Sequence, residues 1–421
     1  VIISDNSANG TYSVGGGMYN TYSSPMLTNV TMVRNSAATD ASAMYNYYSS
    51  NPKIYNSIIL GTITSTPDFI PDLQYSFVQG FTNTSNGNIN STGVNETDIF
   101  VDVVNKDYRL KYNAIVVNKG DNSKNNIPLD VMENSRIVDG TIDLGSYENQ
   151  FIIIPTNNIL YVKKGATGNG SSWSNALGEV ADALKYAKQN ETQWTENNPL
   201  QIWVGAGYYT PLYDPSDVAF GTVPTTNKRL ASFLLVNNVQ LYGGFPTSGN
   251  PTMNDRNWKT KVTTLYGEIG TYGNSDNVYN VVLSVGTSTK PITSKTILDG
   301  FNIYGGNGNL FENRTVNGIS IRLNEGSGMY NVFSSATITN VKISGNSAYE
   351  GGGMYNKSSS SPRLNSVTIS GNFAESSGGG MCNDYSSPVL TNAIISGNST
   401  NNSAGGIKNN YASPILTNVI I

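Results

Sequence analysis

The sequence predicts an all-β fold, a right-handed parallel β-helix with three short strands in each coil of about 26 residues. Three observations predict it. A Gly-Gly-Met-Tyr-Asn block recurs with its Met (or Ile) at positions 18, 44, 329, 354, 381 and 407, giving spacings of 26 and then 25, 27 and 26. Helical and propeller repeats have longer periods. Only 13% of residues are charged, while there are 43 Gly and a wealth of Asn, Ser and Thr, as the turns of a solenoid require. The chain is also 38% hydrophobic with 26 Tyr, too aromatic for a disordered segment of that polarity.

Each element of a coil follows from its residues. Gly351-Gly-Gly-Met-Tyr-Asn356 reads as a first strand, with Met354 inward and Tyr355 outward by alternation. The second strand carries Leu27, Leu364, Leu390 and Leu416 in one column. A third carries Val30, Val341, Val367 and Val419 inward. Two inward residues separated by two others cannot alternate along one strand, so the chain must bend between them. The residue at the bend is Asn29, Asn340, Asn392 or Asn418, with Ser366 once in the same column. Asn tolerates the left-handed backbone of a sharp turn. Stacked coils would set these four Asn one above another as a structural ladder of side-chain amides. Further columns run through Asn20, Asn46, Asn331, Asn356, Asn383 and Asn409, and through Asn6, Asn35, Asn346, Asn372 and Asn398. All read as turns and ladders rather than ligand contacts.

The repeat is not continuous. Residues 1–150 read as the C-terminal part of one β-helix, in which the period dissolves after Leu60 and a run from Asn134 to Glu148 closes the segment. Residues 151–158 form an apolar, Pro-containing joint. Residues 159–421 read as the N-terminal part of the next β-helix. It opens with a strand at Ile159–Val162, then an amphipathic capping helix at about 174–188 with Ser174 as N-cap and Leu177, Val180, Ala181 and Leu184 on one face. Such a helix would cover the open end of the solenoid. Strands are expected at 201–204, 231–235, 239–242, 263–265 and 278–283, with regular coils over about 296–421. Val419-Ile-Ile421 matches Val1-Ile-Ile3 in register, so the expectation is an internal piece holding one period of a near-identical tandem array.

Both transitions resemble one family. The closing run matches D/N-x-R-x-x-x-G-x-x-D-x-G-x-Y-E at Asn134, Arg136, Gly140, Asp143, Gly145, Tyr147 and Glu148. The opening carries Gly165-Ala-Thr-Gly-Asn-Gly-Ser-Ser-Trp173, then Ile202-Trp-Val-Gly-Ala-Gly207, Leu241-Tyr-Gly-Gly-Phe245 and Ile297-Leu-Asp-Gly-Phe301. Together these resemble bacterial β-helix repeat surface proteins, pectin-lyase-like solenoids with adhesin or polymorphic outer-membrane-protein-like repeats, of the tandem kind found in Bacteroidetes. The resemblance covers nearly the whole chain. It implies an extracellular or cell-surface protein, a stiff structural or adhesive fibre or stalk without catalysis. Its partners would be copies of itself, end to end or lateral, or host and cell-surface glycans.

The residues bearing chemistry fit that expectation. There is no His, so Ser-His and Cys-His catalysis are excluded. The net charge of −4 disfavours nucleic acid, and no apolar run is long enough for a membrane span. No cofactor fingerprint occurs, because the Gly runs follow the coil period without a helix behind them. Cys382 stands in the Tyr column and reads as a neutral substitution on an outer face. Glu325, Glu350, Glu375 and Asp384 read as scattered loop residues outside any one column, and Asp139 and Asp143 as capping groups. The alternative is a carbohydrate-binding or polysaccharide-degrading β-helix enzyme, which needs clustered carboxylates for acid–base work or Ca²⁺. One surface stripe could bind a ligand: Tyr19, Tyr45, Tyr330 and Tyr355, expected to point outward beside Tyr22, Tyr48, Phe333, Tyr385 and Tyr411. Cross-coil stacking that only stabilises the rod is the simpler expectation for them.

Overall fold

Parallel strands stacked in register dominate the computed structural model, which describes residues 1–66, 71–224, 226–270 and 273–421. The chain divides into two compact units, Val1–Ile152 and Ile153–Ile421.

In the second unit one sheet holds eight strands and two others hold six each. Side chains of one kind recur at equivalent places. Leu160, Ile202, Leu241, Leu298, Ile338, Leu364, Leu390 and Leu416 are successive register partners. Val282, Met329, Met354, Met381 and Ile407 form a second inner column. Leu265, Ile303, Ile343, Ile369 and Ile395 form a third. All but the outermost members are buried, so each coil covers the apolar face of the coil before it. A fourth short ladder, absent from the sequence reading, joins Asn307–Gly308, Ser347–Glu350, Phe373–Ser377 and Ser399–Thr400. The glycines ahead of each Met permit this stacking. A Cβ on Gly353 would lie 2.5 Å from the carbonyl oxygen of Gly380 in the next coil.

The bend residues hold the left-handed backbone expected of them: φ is 56° at Asn29, 53° at Asn340, 54° at Ser366, 53° at Asn392 and 53° at Asn418. Their side chains do not make a continuous ladder, which corrects the sequence reading. Asn418 Nδ2 donates to Asn392 Oδ1 at 2.6 Å. Asn340 Nδ2 instead donates to Asp299 Oδ1 and Asn29 Nδ2 to Asn125 Oδ1, both at 2.9 Å. Ser366 is too short to carry the chain of amides past its own coil. The unbroken ladders lie at strand ends. Asn331, Asn356, Asn383 and Asn409 each donate to the next at 2.9, 2.8 and 2.8 Å. Asn346, Asn372 and Asn398 do the same at 3.0 and 2.9 Å, and their amides also reach backbone carbonyls of the preceding coil.

The second unit opens with the strand Ile159–Val162, as expected. Its helix is Val180–Gln189, starting later than Ser174, with Glu179 at the N-cap and no side-chain cap. Ser174 instead bonds Ser172 within the preceding turn. Buried Val180, Ala181, Ala183, Leu184 and Ala187 face the first strands of the stack. No helix among the described residues is long and apolar enough to cross a membrane.

The first unit repeats the coil design with fewer strands, from Ile2–Ser4 through Phe77–Val78. Its inner core joins Leu27, Met32, Met44, Ile54, Ile59 and Leu73. A short helix, Glu96–Ile99, leads into the strand Phe100–Asp102. The segment 99–148, which ends in the closing run, packs along a side of the coils. Ile99, Phe100, Tyr108, Val116 and Leu144 cover the outer residues Val33, Ile58 and Phe77. The charged residues of the run form a buried knot at the centre of that wrap. Glu148 accepts from the backbone N–H of Val138 and Asp143 at 2.9 Å each and faces Arg136 at 3.5 Å. Arg136 donates to the carbonyls of Asp143 and Gly145. Asp143 accepts from the N–H of Asn118 and Asn149, whereas Asp139 lies exposed. Burial, reinforced by the Asp143 charge, pushes the Glu148 carboxyl up to about 8.

Asn356→Ala leaves Asn331 and Asn383 each short of an amide partner and lowers stability by about 2–4 kcal/mol in urea unfolding. Arg136→Met leaves the carbonyls of Asp143 and Gly145 without their buried donor and costs the first unit about 2–6 kcal/mol in the same measurement. Glu148 holds its proton more tightly folded than unfolded. Its contribution to stability is therefore full below pH 4.5 and falls as pH rises towards about 8. Thermal unfolding against pH reads this slope, and Glu148→Gln flattens it.

Candidate functional site

The flank of the second unit carries an insertion that the coil period does not predict. Asn313–Val316 and Ile319–Arg322 pair antiparallel around Asn317 and Gly318, whose φ values are 52° and 75°. Two positive φ angles suit an Asn-Gly hairpin turn. That dipeptide between alternating apolar residues was the sequence signal for it. Two anchors hold the hairpin down. Buried Arg314 donates to the Leu230 carbonyl at 2.5 Å, to Ser232 Oγ at 2.8 Å and to Asn280 Oδ1 at 3.1 Å. Burial brings its guanidinium down to about 10. Asp217 accepts from the N–H of Asn317 and Gly318 at 2.6 and 2.7 Å.

Val316 and Ile321 thereby cover an outward-facing column of Leu234, Leu283, Tyr330, Tyr355 and Cys382. This changes the tyrosine stripe. Tyr330 and Tyr355 face away from the coil interior but are only 0% and 4% exposed, so no external ligand reaches them. They stack at 5.4 Å and 7°, and the Tyr330 hydroxyl donates to Glu325 Oε2 at 2.8 Å. Cys382 follows in the same column and is buried too, so it does not lie on an open surface. Burial, with Glu350 next, pushes its thiol up to about 12.

Glu325 and Glu350 are bridge partners on adjacent coils, which corrects the reading of them as scattered. Each carboxylate faces its own cations. Lys357 and Arg322 approach Glu325 at 3.5 Å, and Lys408 approaches Glu350 at 2.8 Å. Ser377 also donates to Glu350 at 2.9 Å. That pattern is an ion-pair ladder along the flank.

In the first unit the tyrosines are open. Tyr19 is 51% exposed and stacks on Tyr45 at 5.5 Å and 24°. Tyr22 stacks on Tyr48 at 5.2 Å and 15°. Tyr385 and Tyr411 repeat this bend-position pair in the second unit at 4.7 Å and 12°. The rings lie face to face along the stack of coils, so the faces a sugar would need are largely spent on one another. Edges and hydroxyls are what solvent meets.

The second unit also holds a groove of about 580 Å³. Its floor is apolar: Trp194, Leu235, Val236, Val285 and Ile292, all buried. Polar groups surround it. Lys188 pairs with Glu191 at 2.6 Å after the end of the helix. Lys290 is exposed on the loop that follows Val282–Val285, a turn closed by its own N–H donating to Thr287 Oγ1 at 2.9 Å. Asn238, at φ 60°, donates its amide to the Trp194 carbonyl at 3.1 Å. Its Oδ1 is buried and has no hydrogen-bond partner. Nothing in the sequence signals this groove, because its walls come from three separate loops.

No protein-family model matches the chain, and no curated protein matches it. Among solved structures, the chain is similar to pectin methylesterase PemA from Erwinia chrysanthemi at 13% identity and a TM-score of 0.29. The match covers 58% of this chain and 57% of that one, so the chain spans little more than half the length of that structure. A likeness so distant carries no argument about activity. The stacked parallel sheets themselves establish the fold as a parallel β-helix.

Buried under the hairpin, Cys382 should resist thiol-reactive dyes in the native protein at neutral pH and label fully in denaturant. Labelling of the native chain at the denatured rate would mean that the hairpin does not shield the column.

Proposed function

We propose that this chain is a structural and adhesive extracellular repeat protein, a segment of a stiff surface fibre or stalk that does no catalysis. The supporting observation is the in-register recurrence of the same side chains from coil to coil. Buried amide ladders such as Asn331–Asn356–Asn383–Asn409 tie successive coils along the stack. Such a stack lengthens by about 4.8 Å per coil while every interior strand stays paired on both edges. The product is reach and stiffness. In this reading the partners are further copies of the chain and glycans at a cell surface.

The polysaccharide-degrading alternative has one observation in its favour, the adjacency of Glu325 and Glu350. The cations that face both carboxylates, and the burial of Glu325, favour a structural role for them. The test is to incubate the purified protein with pectin, alginate and animal-cell glycans while measuring its retention on cells bearing them. Retention without release of shortened chains is expected. Depolymerisation that Glu325→Gln or Glu350→Gln abolishes would replace this reading with the enzymatic one.

A further inference from the structure

We propose that Asn9 is a site of spontaneous deamidation, at which the folded chain records its age. The inference is independent of the adhesive reading, since the step needs only water. The backbone nitrogen of Gly10, having lost its proton to solvent, attacks Cγ of Asn9. The new N–Cγ bond closes a succinimide ring, and Nδ2 leaves as ammonia with a proton from water. A water molecule then opens the ring at either carbonyl, leaving aspartate or isoaspartate. Glycine favours the step, because it has no Cβ to crowd the attacking nitrogen. The sequence holds five Asn-Gly pairs, starting at Asn9, Asn86, Asn169, Asn307 and Asn317. What separates them is whether the attacking nitrogen and the side-chain amide are free to meet.

Four of the pairs are held. The Asn317 amide donates to the Val285 carbonyl at 2.6 Å, and the Gly318 N–H donates to Asp217 Oδ2 at 2.7 Å. The Asn307 amide donates to the Asn274 carbonyl at 2.5 Å, and the N–H of buried Gly308 donates to Ser327 Oγ at 2.7 Å. Gly170 is buried, and its N–H donates to the Asn175 carbonyl at 2.8 Å. The Asn86 carbonyl, part of the ring to be formed, accepts from the Tyr75 N–H at 2.9 Å. Gly87 lies so near the Tyr75 ring that a Cβ there would stand 2.5 Å from Cδ1. Losing one or two such hydrogen bonds to reach the ring-closing geometry slows the step by roughly tenfold. Asn9 and Gly10 are both exposed. The Gly10 N–H and the Asn9 amide donate no hydrogen bond among the described residues. A Cβ on Gly10 would meet only the Ser13 Cβ, at 3.8 Å. The Gly10 carbonyl accepts from the Ser13 N–H at 3.0 Å, but that carbonyl stays outside the ring. The remaining contact is Ser7 Oγ donating to Asn9 Oδ1, which polarises Cγ and leaves both nitrogens free.

The test is peptide mass spectrometry on the intact native protein, held in mildly alkaline buffer and sampled over time. Heavy-oxygen water in the buffer marks each carboxyl formed during the incubation. The Asn9 peptide is expected to exchange amide for acid about tenfold faster than the peptides of the four held pairs. In denaturant all five should convert at similar rates, because every pair is then equally free. Gly10→Ala crowds the attacking nitrogen and should slow conversion at Asn9 about tenfold. Thermal unfolding of that variant should match the parent, since the added Cβ has room. Conversion at Asn9 no faster than at the held pairs overturns the proposal. So does the same order of rates in native and denatured protein, or a Gly10→Ala variant that converts as fast as the parent.

Discussion

A parallel coil must turn sharply several times within about 26 residues, and each turn brings backbone and side-chain polar groups into a stack where water cannot reach them. The pairing of each buried amide with its equivalent one coil away meets that constraint. Asn356 donates to Asn383 and receives from Asn331. Asn372 receives the backbone N–H of Asn346 while its own amide reaches the Ile343 carbonyl. The rest of the architecture depends on this arrangement. The inner Leu, Ile and Met columns stay in register because the polar columns permit only one register. A slip of one residue would turn every apolar side chain outward and every amide away from its partner.

The period, the inward columns and the left-handed bends were legible in the sequence because they repeat. Asn392 and Asn418 could be placed by alignment with one another, and their φ values match that placement. What escaped the sequence was what happens once only. The hairpin around Asn317 and Gly318 interrupts the period, so the stripe of Tyr330 and Tyr355 read as open. The cross-coil meeting of Glu325 and Glu350 obeys the coil period, each standing four residues before the Met of its coil, and was missed because it occurs in one pair of coils only. Ser366 showed where the bend ladder breaks, yet a break in a column counts for little until the distances are known.

The two units use different means to protect their outer faces. In the first, the segment that follows the coils lays Tyr108, Val116 and Leu144 over Val33, Ile58 and Phe77, and a buried Arg136–Glu148 pair fixes it. In the second, an inserted hairpin lays Val316 and Ile321 over Leu283, Tyr330 and Tyr355, and buried Arg314 fixes it. Each solution buries one guanidinium among several hydrogen-bond acceptors. Arginine suits that place because its planar fork satisfies several acceptors at once and stays charged after desolvation.

The repetition of the apolar and amide columns has a consequence for inheritance. Ile338, Leu364 and Leu390 meet neighbours of similar shape above and below. Removing or duplicating one whole coil therefore joins surfaces that already fit, and no compensating change is needed elsewhere. Length can drift by unequal recombination while the interior chemistry stays fixed, so among related chains the number of coils is free to vary far more than the composition of any one of them.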